Sequence, residues 1–153
     1  MTFPDMQHRH NPPTEVGDCW RACIAGVTGV PIAQVPHFVG DHYDADTAAA
    51  EIDPESSARW FEATQQWLIE RFNHVCLYYA SPAARYPHNR PEPSAYPLVL
   101  WSGQSPRGDW KHVVIAEDTG ERMIHDPHPD RTGVTELDGV FAIVRAEDWE
   151  GAR

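Results

Sequence analysis

Gly17-Asp18-Cys19-Trp20-Arg21-Ala22-Cys23-Ile24-Ala25 sets a cysteine at the start of an apolar, small-residue helix. Its meaning depends on two stretches far downstream, Lys111-His112-Val113-Val114-Ile115 and Met123-Ile124-His125-Asp126-Pro127. The first of these opens a β-branched strand on a histidine, and the second ends the next strand on an aspartate. Between them, Glu117-Asp118-Thr119-Gly120 has the turn chemistry of a hairpin, so His112 and Asp126 meet by local pairing. A thiol, then a strand-borne imidazole, then a carboxylate is the chain order of a nucleophile with its base and the base's orienting partner.

Working outward, the pattern predicts a helix over 18–28 with Asp18 as N-cap, a turn at Gly29-Val30-Pro31, and a short second helix over 32–35 stopped by Pro36. The clearest helix is 54–72. Asp53 caps it, Pro54 takes the first position, Glu55 complements the dipole, and Trp60, Phe61, Trp67, Leu68 and Phe72 make an apolar stripe. Strands follow over 74–79, 97–101, 112–117, 122–125 and 140–145. The unbroken apolar runs Val99-Leu100-Trp101 and Val113-Val114-Ile115 suit strands covered on both faces. Helices first and an antiparallel sheet afterwards predict an α+β fold. The polar, proline-flanked N-terminal segment is expected to lie outside the core. The acidic stretch 41–54 and the proline-rich stretch 81–96 read as loops, the latter a candidate wall or lid of a site.

The 153 residues predict one domain over 1–153. A formal net charge of -11 with scattered basic residues speaks against a sequence-independent grip on nucleic acid and against docking on anionic lipid. No stretch reads as membrane-spanning, and Met1-Thr2-Phe3-Pro4-Asp5 lacks the pattern of a secretory signal, so a soluble, cytoplasmic chain is expected. Three cysteines are too few for a disulfide framework and suggest reduced thiols.

Each candidate also has a bland reading. A free cysteine is commonly a small buried hydrophobe, but in the first turn of a helix Cys19 faces unpaired N–H groups that stabilise a thiolate. Cys23, one turn on, and Cys76, inside a strand, read as core. His112 alone would be an edge residue, and Asp126 alone a turn before Pro127; together with Cys19 they read as general base and orienter. An oxyanion donor is sought upstream of the cysteine, where Gln7 is preferred and Asn11 is the alternative. Nine histidines, including His125, His128, His8, His10, His37, His42 and His88, invite a metal reading in which Cys19, Cys23, His112 and Asp126 hold the ion. No CxxC pair or HExxH supports that, so neither metal nor cofactor is expected. The acidic composition and the aromatics Tyr78, Tyr79, Tyr86, Tyr96, Trp101 and Trp110 suggest a neutral or basic substrate.

The cysteine stretch, followed by Val30-Pro31-Ile32-Ala33-Gln34-Val35-Pro36-His37-Phe38 and closed by His112-Val113-Val114 and His125-Asp126-Pro127-His128-Pro129, resembles the papain-like cysteine-peptidase superfamily. Within it the chain is most similar to stand-alone phage- and bacterium-encoded relatives of the bacteriocin-processing, double-glycine leader peptidases. The resemblance runs from about Gln7 to Pro129. It implies a papain-like α+β fold, a thiolate nucleophile at Cys19, a base at His112, an orienting Asp126 and an oxyanion glutamine that maps best on Gln7. In the leader peptidases that glutamine lies closer to the cysteine, at a spacing filled here by Pro13, and the peptidase is part of a membrane transporter. The leader-peptide substrate therefore does not carry over. The expectation is a cysteine hydrolase or acyl-transfer enzyme acting on a peptide, an isopeptide or a small amide. The rival expectations are a metal-binding protein and a catalytically silent scaffold that inhibits or adapts a host protein.

Overall fold

Helix α1 (Cys19–Thr28) forms because its small and apolar residues can be buried almost all round: Trp20, Ala22, Cys23, Ile24, Ala25, Gly26 and Val27 are all inside. The computed structural model describes residues 3–11, 14–43, 54–80, 98–118 and 122–151. After α1 come a 3-10 turn at Ile32–Gln34, α2 (Phe38–Asp41) and α3 (Pro54–Phe72). Strands β1 (His74–Ala80), β2 (Leu98–Gln104), β3 (Lys111–Glu117), β4 (Met123–His125) and β5 (Leu137–Arg145) precede α4 (Ala146–Gly151).

The five strands form one antiparallel sheet in the order β1-β5-β2-β3-β4. The expected α+β class is therefore what the chain adopts. Period-two alternation divides the strand residues between two packed faces. Cys76, Leu98, Leu100, Val113, Ile115 and Ile143 pack with α1 and α3. Val99, Trp101, Val114, Val140, Ala142 and Val144 form a second cluster, closed by Val134, Leu137 and Trp149 of α4. The two unbroken apolar runs are thus strands buried on both faces, as their composition required.

The α3 stripe packs as expected: Leu68 is fully buried, and Trp60, Phe61, Trp67 and Phe72 lie against the core. The Trp20 indole stacks edge-on to Trp60 and Phe141, 4.9 and 4.8 Å away between centroids, and its N–H donates to Thr64 Oγ1 at 3.0 Å. This joins α1, α3 and β5 at one aromatic node. Gly26 lets α1 lie close on β3, since a Cβ there would sit 2.6 Å from Ile115 Cδ1. That close approach sets the start of α1 beside the start of β3.

Several expectations change. The helix over 32–35 is only a 3-10 turn. The pattern missed α2, which His37 caps by accepting the Gly40 N–H on Nδ1 at 3.2 Å, and it missed α4. Asp53 and the stretches 44–53 and 81–97 lie outside the described residues. The Asp18 side chain does not cap α1. It is fully buried and instead accepts the backbone N–H groups of Gln7 and His8, each at 2.8 Å, with Arg21 Nη1 at 3.4 Å. The N-terminal segment also belongs to the core. Met6 is 8 % exposed, its N–H donates to Pro127 O at 3.0 Å, and Phe3 packs against the main cluster and stacks on His125. Polarity and prolines conceal two apolar side chains whose partners lie at the other end of the chain.

Candidate active site

Cys19 is the first residue of α1 and is partly exposed, while His112 is the second residue of β3 and nearly buried. The β3–β4 hairpin, with Ile115 opposite His125, brings the end of β4 alongside the beginning of β3. Asp126 follows β4 directly, and its Oδ1 lies 2.7 Å from His112 Nε2. A carboxylate only accepts, so Nε2 is the donor and Nδ1 is the ring nitrogen left to face the thiol. Cys19 lines both clefts beside His112, close enough for its charge to act on the same ring. The structure therefore brings together the three residues that the sequence singled out.

Burial opposes a charged ring at His112, but the negative charge of Cys19 and the hydrogen bonds from Asp126 and Cys19 outweigh it and raise the imidazole to about 9. Burial likewise works against the Asp126 charge. His112 and the N–H groups of His128 (2.9 Å) and Gly133 (2.7 Å) more than offset it and hold the carboxyl below the usual carboxylate range. Cys23 donates its thiol to Val113 O at 3.5 Å, and burial, with the charges of Cys19 and Asp126, pushes it well up. Burial also pushes Cys76 up. Both thus stay inert packing, as read.

Sequence reasoning missed what holds Asp126. The Gly133 N–H that binds Oδ2 depends on φ of +81°, and a Cβ there would lie 3.2 Å from Met123 Sδ. Arg131 Nη1 donates to the Asp126 carbonyl while its guanidinium also grips Asp5, with Nη2 to Oδ2 at 3.0 Å. A glycine closely following the Asp-Pro turn was the only available signal. Replacing Gly133 with Ala is expected to cost about 1–2 kcal/mol, because a Cβ disfavours this conformation. Thermal unfolding checks it, and an unchanged Tm would show that the loop tolerates the side chain.

Two clefts meet at Cys19, Lys111 and His112. The larger, about 240 Å³, is walled by the N-terminal segment, by Trp110 and by several cationic side chains. The smaller, about 130 Å³, is apolar and lined by Trp20, Val39, Trp60 and Phe141. Gln7 lines neither. It is exposed, its N–H donates to Asp18 at 2.8 Å and its Oε1 accepts from Arg21 at 3.2 Å. Asn11 lines neither cleft and pairs with Glu15 in an isolated bridge. The N–H groups opening α1 have no intrahelical acceptor and no side-chain cap.

Among the described residues no group of three or more His, Cys, Asp or Glu is placed to hold a metal ion. Nor is any single helix among them long and apolar enough to cross a membrane. No protein-family model matches the chain, and neither a curated protein nor a solved structure matches it.

Proposed function

We propose that the chain is a papain-like cysteine hydrolase or acyl-transfer enzyme acting on a peptide, isopeptide or small amide. The observation that carries this reading is His112, tied through Nε2 to the buried Asp126 carboxylate and lining both clefts together with Cys19, whose charge acts on its ring. The Cys19 Sγ attacks the acyl carbon and the carbonyl π electrons move to oxygen. His112, as imidazolium, protonates the departing amine as the C–N bond breaks, leaving a thioester on Cys19. His112, now neutral, takes a proton from water or an acceptor nucleophile, whose attack releases Cys19. Asp126 keeps Nε2 protonated throughout, so that Nδ1 exchanges the proton.

Oxyanion stabilisation is assigned to the free N–H groups at the start of α1, which point at the carbonyl once it reaches Sγ. Gln7 was the side-chain candidate; from its place on Arg21 it serves the N-terminal segment instead. The apolar cleft beside Trp20 and Phe141 suits a hydrophobic substrate side chain.

The test is a mixture of peptides of broad composition, incubated with the wild type and with Cys19→Ala, with new termini and the thioester on Cys19 read by mass spectrometry. Products formed only by the wild type support the enzyme; their absence together with an unreactive Cys19 supports the silent scaffold. The charge state of His112 can be followed without any substrate. Its value lies above the ordinary 6.5, so its contribution to stability is complete below about 6.5 and is lost as pH rises through about 9. The ring nitrogens should therefore titrate by NMR with a midpoint near 9 in the wild type and lower in Asp126→Asn. A wild-type midpoint near the ordinary value would remove the ion pair from the mechanism.

A further inference from the structure

We infer that the larger cleft selects acyl substrates carrying a carboxylate beside the scissile bond, an inference that rests on Cys19 being the nucleophile. The chain as a whole carries a net charge of -11, which by itself would favour a neutral or basic substrate. The wall of this cleft has the opposite character. Arg9, Arg107 and Lys111 line it with His10 and His128, and among the described residues no Asp or Glu does. Among the described residues, Asp130 takes Arg107 at 3.0 Å, Asp138 takes Lys111 at 2.8 Å and Asp5 acts on Arg9 through its charge, and none of these three carboxylates lines the cleft. The described wall of the cleft therefore carries cations and no anion.

Two guanidiniums keep donors available. The Arg107 guanidinium makes its hydrogen bonds through Nη1, to both Asp130 oxygens and to Thr132 Oγ1. Among the described residues its Nε and Nη2 donate to nothing, and the Arg9 guanidinium has neither hydrogen bond nor ion pair. Burial first, and then the charges of Arg107 and Arg9 against the opposing pull of Asp130, hold His128 below its ordinary value. Guanidinium groups match a carboxylate in charge and in planar donor geometry. A cleft lined by one sign of charge also raises the local concentration of the opposite ion.

Among the described residues the smaller cleft has only the shared Lys111 as a cation besides His112, among aromatic and aliphatic walls. The preferred substrate is thus acidic on one side of the reacting carbonyl and apolar on the other.

Two alkylating agents that differ only in charge separate this inference from the reading beneath it. Iodoacetate and iodoacetamide both transfer a CH2 group to the Cys19 thiolate with loss of iodide, and only iodoacetate brings a carboxylate. The ratio of their rates at Cys19, taken by mass spectrometry at low salt, is expected to be at least about tenfold higher in the folded protein than at the same cysteine in the urea-unfolded chain. In about 1 M NaCl that advantage should shrink severalfold, because salt screens exposed charges. Arg9→Glu, a change at an exposed residue, should lower the ratio in the same direction. Fast iodoacetamide labelling with a ratio equal to that of the unfolded chain overturns the substrate inference and leaves the nucleophile standing. Slow labelling of the folded protein by both reagents overturns the nucleophile and the inference together.

Discussion

Iodoacetamide at pH 6 is expected to label Cys19 about a hundredfold faster than Cys23 or Cys76, because an ordinary thiol is well under about 1 % ionised at that pH. Cys19 instead lies beside His112, at a helix start with no side-chain cap. The other two thiols are 0 % and 2 % exposed and are driven toward the protonated form by burial. They are protected twice, by access and by charge state. Mass-spectrometric time courses on the folded protein read all three sites at once. His112→Ala should erase most of the Cys19 advantage while leaving Cys23 and Cys76 slow. Equal and slow labelling of all three in the wild type would end the activated-cysteine reading.

Asp126→Asn should lower turnover by about 10³–10⁴, the scale known for removing the carboxylate that orients a catalytic imidazole. The carboxylate accepts on both oxygens, from His112 and His128 on Oδ1 and from Gly133 on Oδ2. An amide can copy only one side. With its oxygen toward His112, its NH2 opposes the Gly133 N–H. With its oxygen toward Gly133, it donates to His112 Nε2 and forces the proton onto Nδ1, the wrong nitrogen. Either arrangement leaves a buried donor unsatisfied, at a cost of about 1–3 kcal/mol. The variant should therefore fold, melt several degrees lower, and lose activity far beyond what its lost stability explains. Circular dichroism melts and turnover on any substrate recovered from the peptide screen check both parts. Wild-type turnover in a folded Asp126→Asn would mean that His112 needs no carboxylate partner.

How far the site could be read in advance depended on distance along the chain. His112 and Asp126 were legible because a hairpin is local: strand pattern, turn chemistry and a strand-ending Asp-Pro are enough to put an imidazole near a carboxylate. Helix α3 was legible to its ends, since an N1 proline and a regular aromatic stripe mark its limits independently. Gln7 was not legible. Choosing an amide upstream of the cysteine is a one-dimensional argument, and the fold turns that side chain to Arg21. Asp18 misled for a related reason, since an aspartate before a helix has the same one-letter signature whether it caps that helix or grips another segment.

By itself the sequence determined the α+β class, the sheet buried on both faces, the inert Cys23 and Cys76, and the Cys19, His112, Asp126 set. All of these follow from periodic burial, β-branching and turn residues, which act over a few neighbours. Only the tertiary structure decided the rest: Asp18 holding Gln7 and His8, Gly133 holding Asp126, Met6 inside the core, and a cationic cleft on an acidic protein. The physical reason is that three of these contacts run through backbone N–H groups, which nearly every residue carries and which leave no mark in the side-chain pattern. The cleft, in turn, is made by cations drawn from Arg9, Arg107 and Lys111. Their charges sum to nothing notable in composition and become a field only when folding sets them around one thiol.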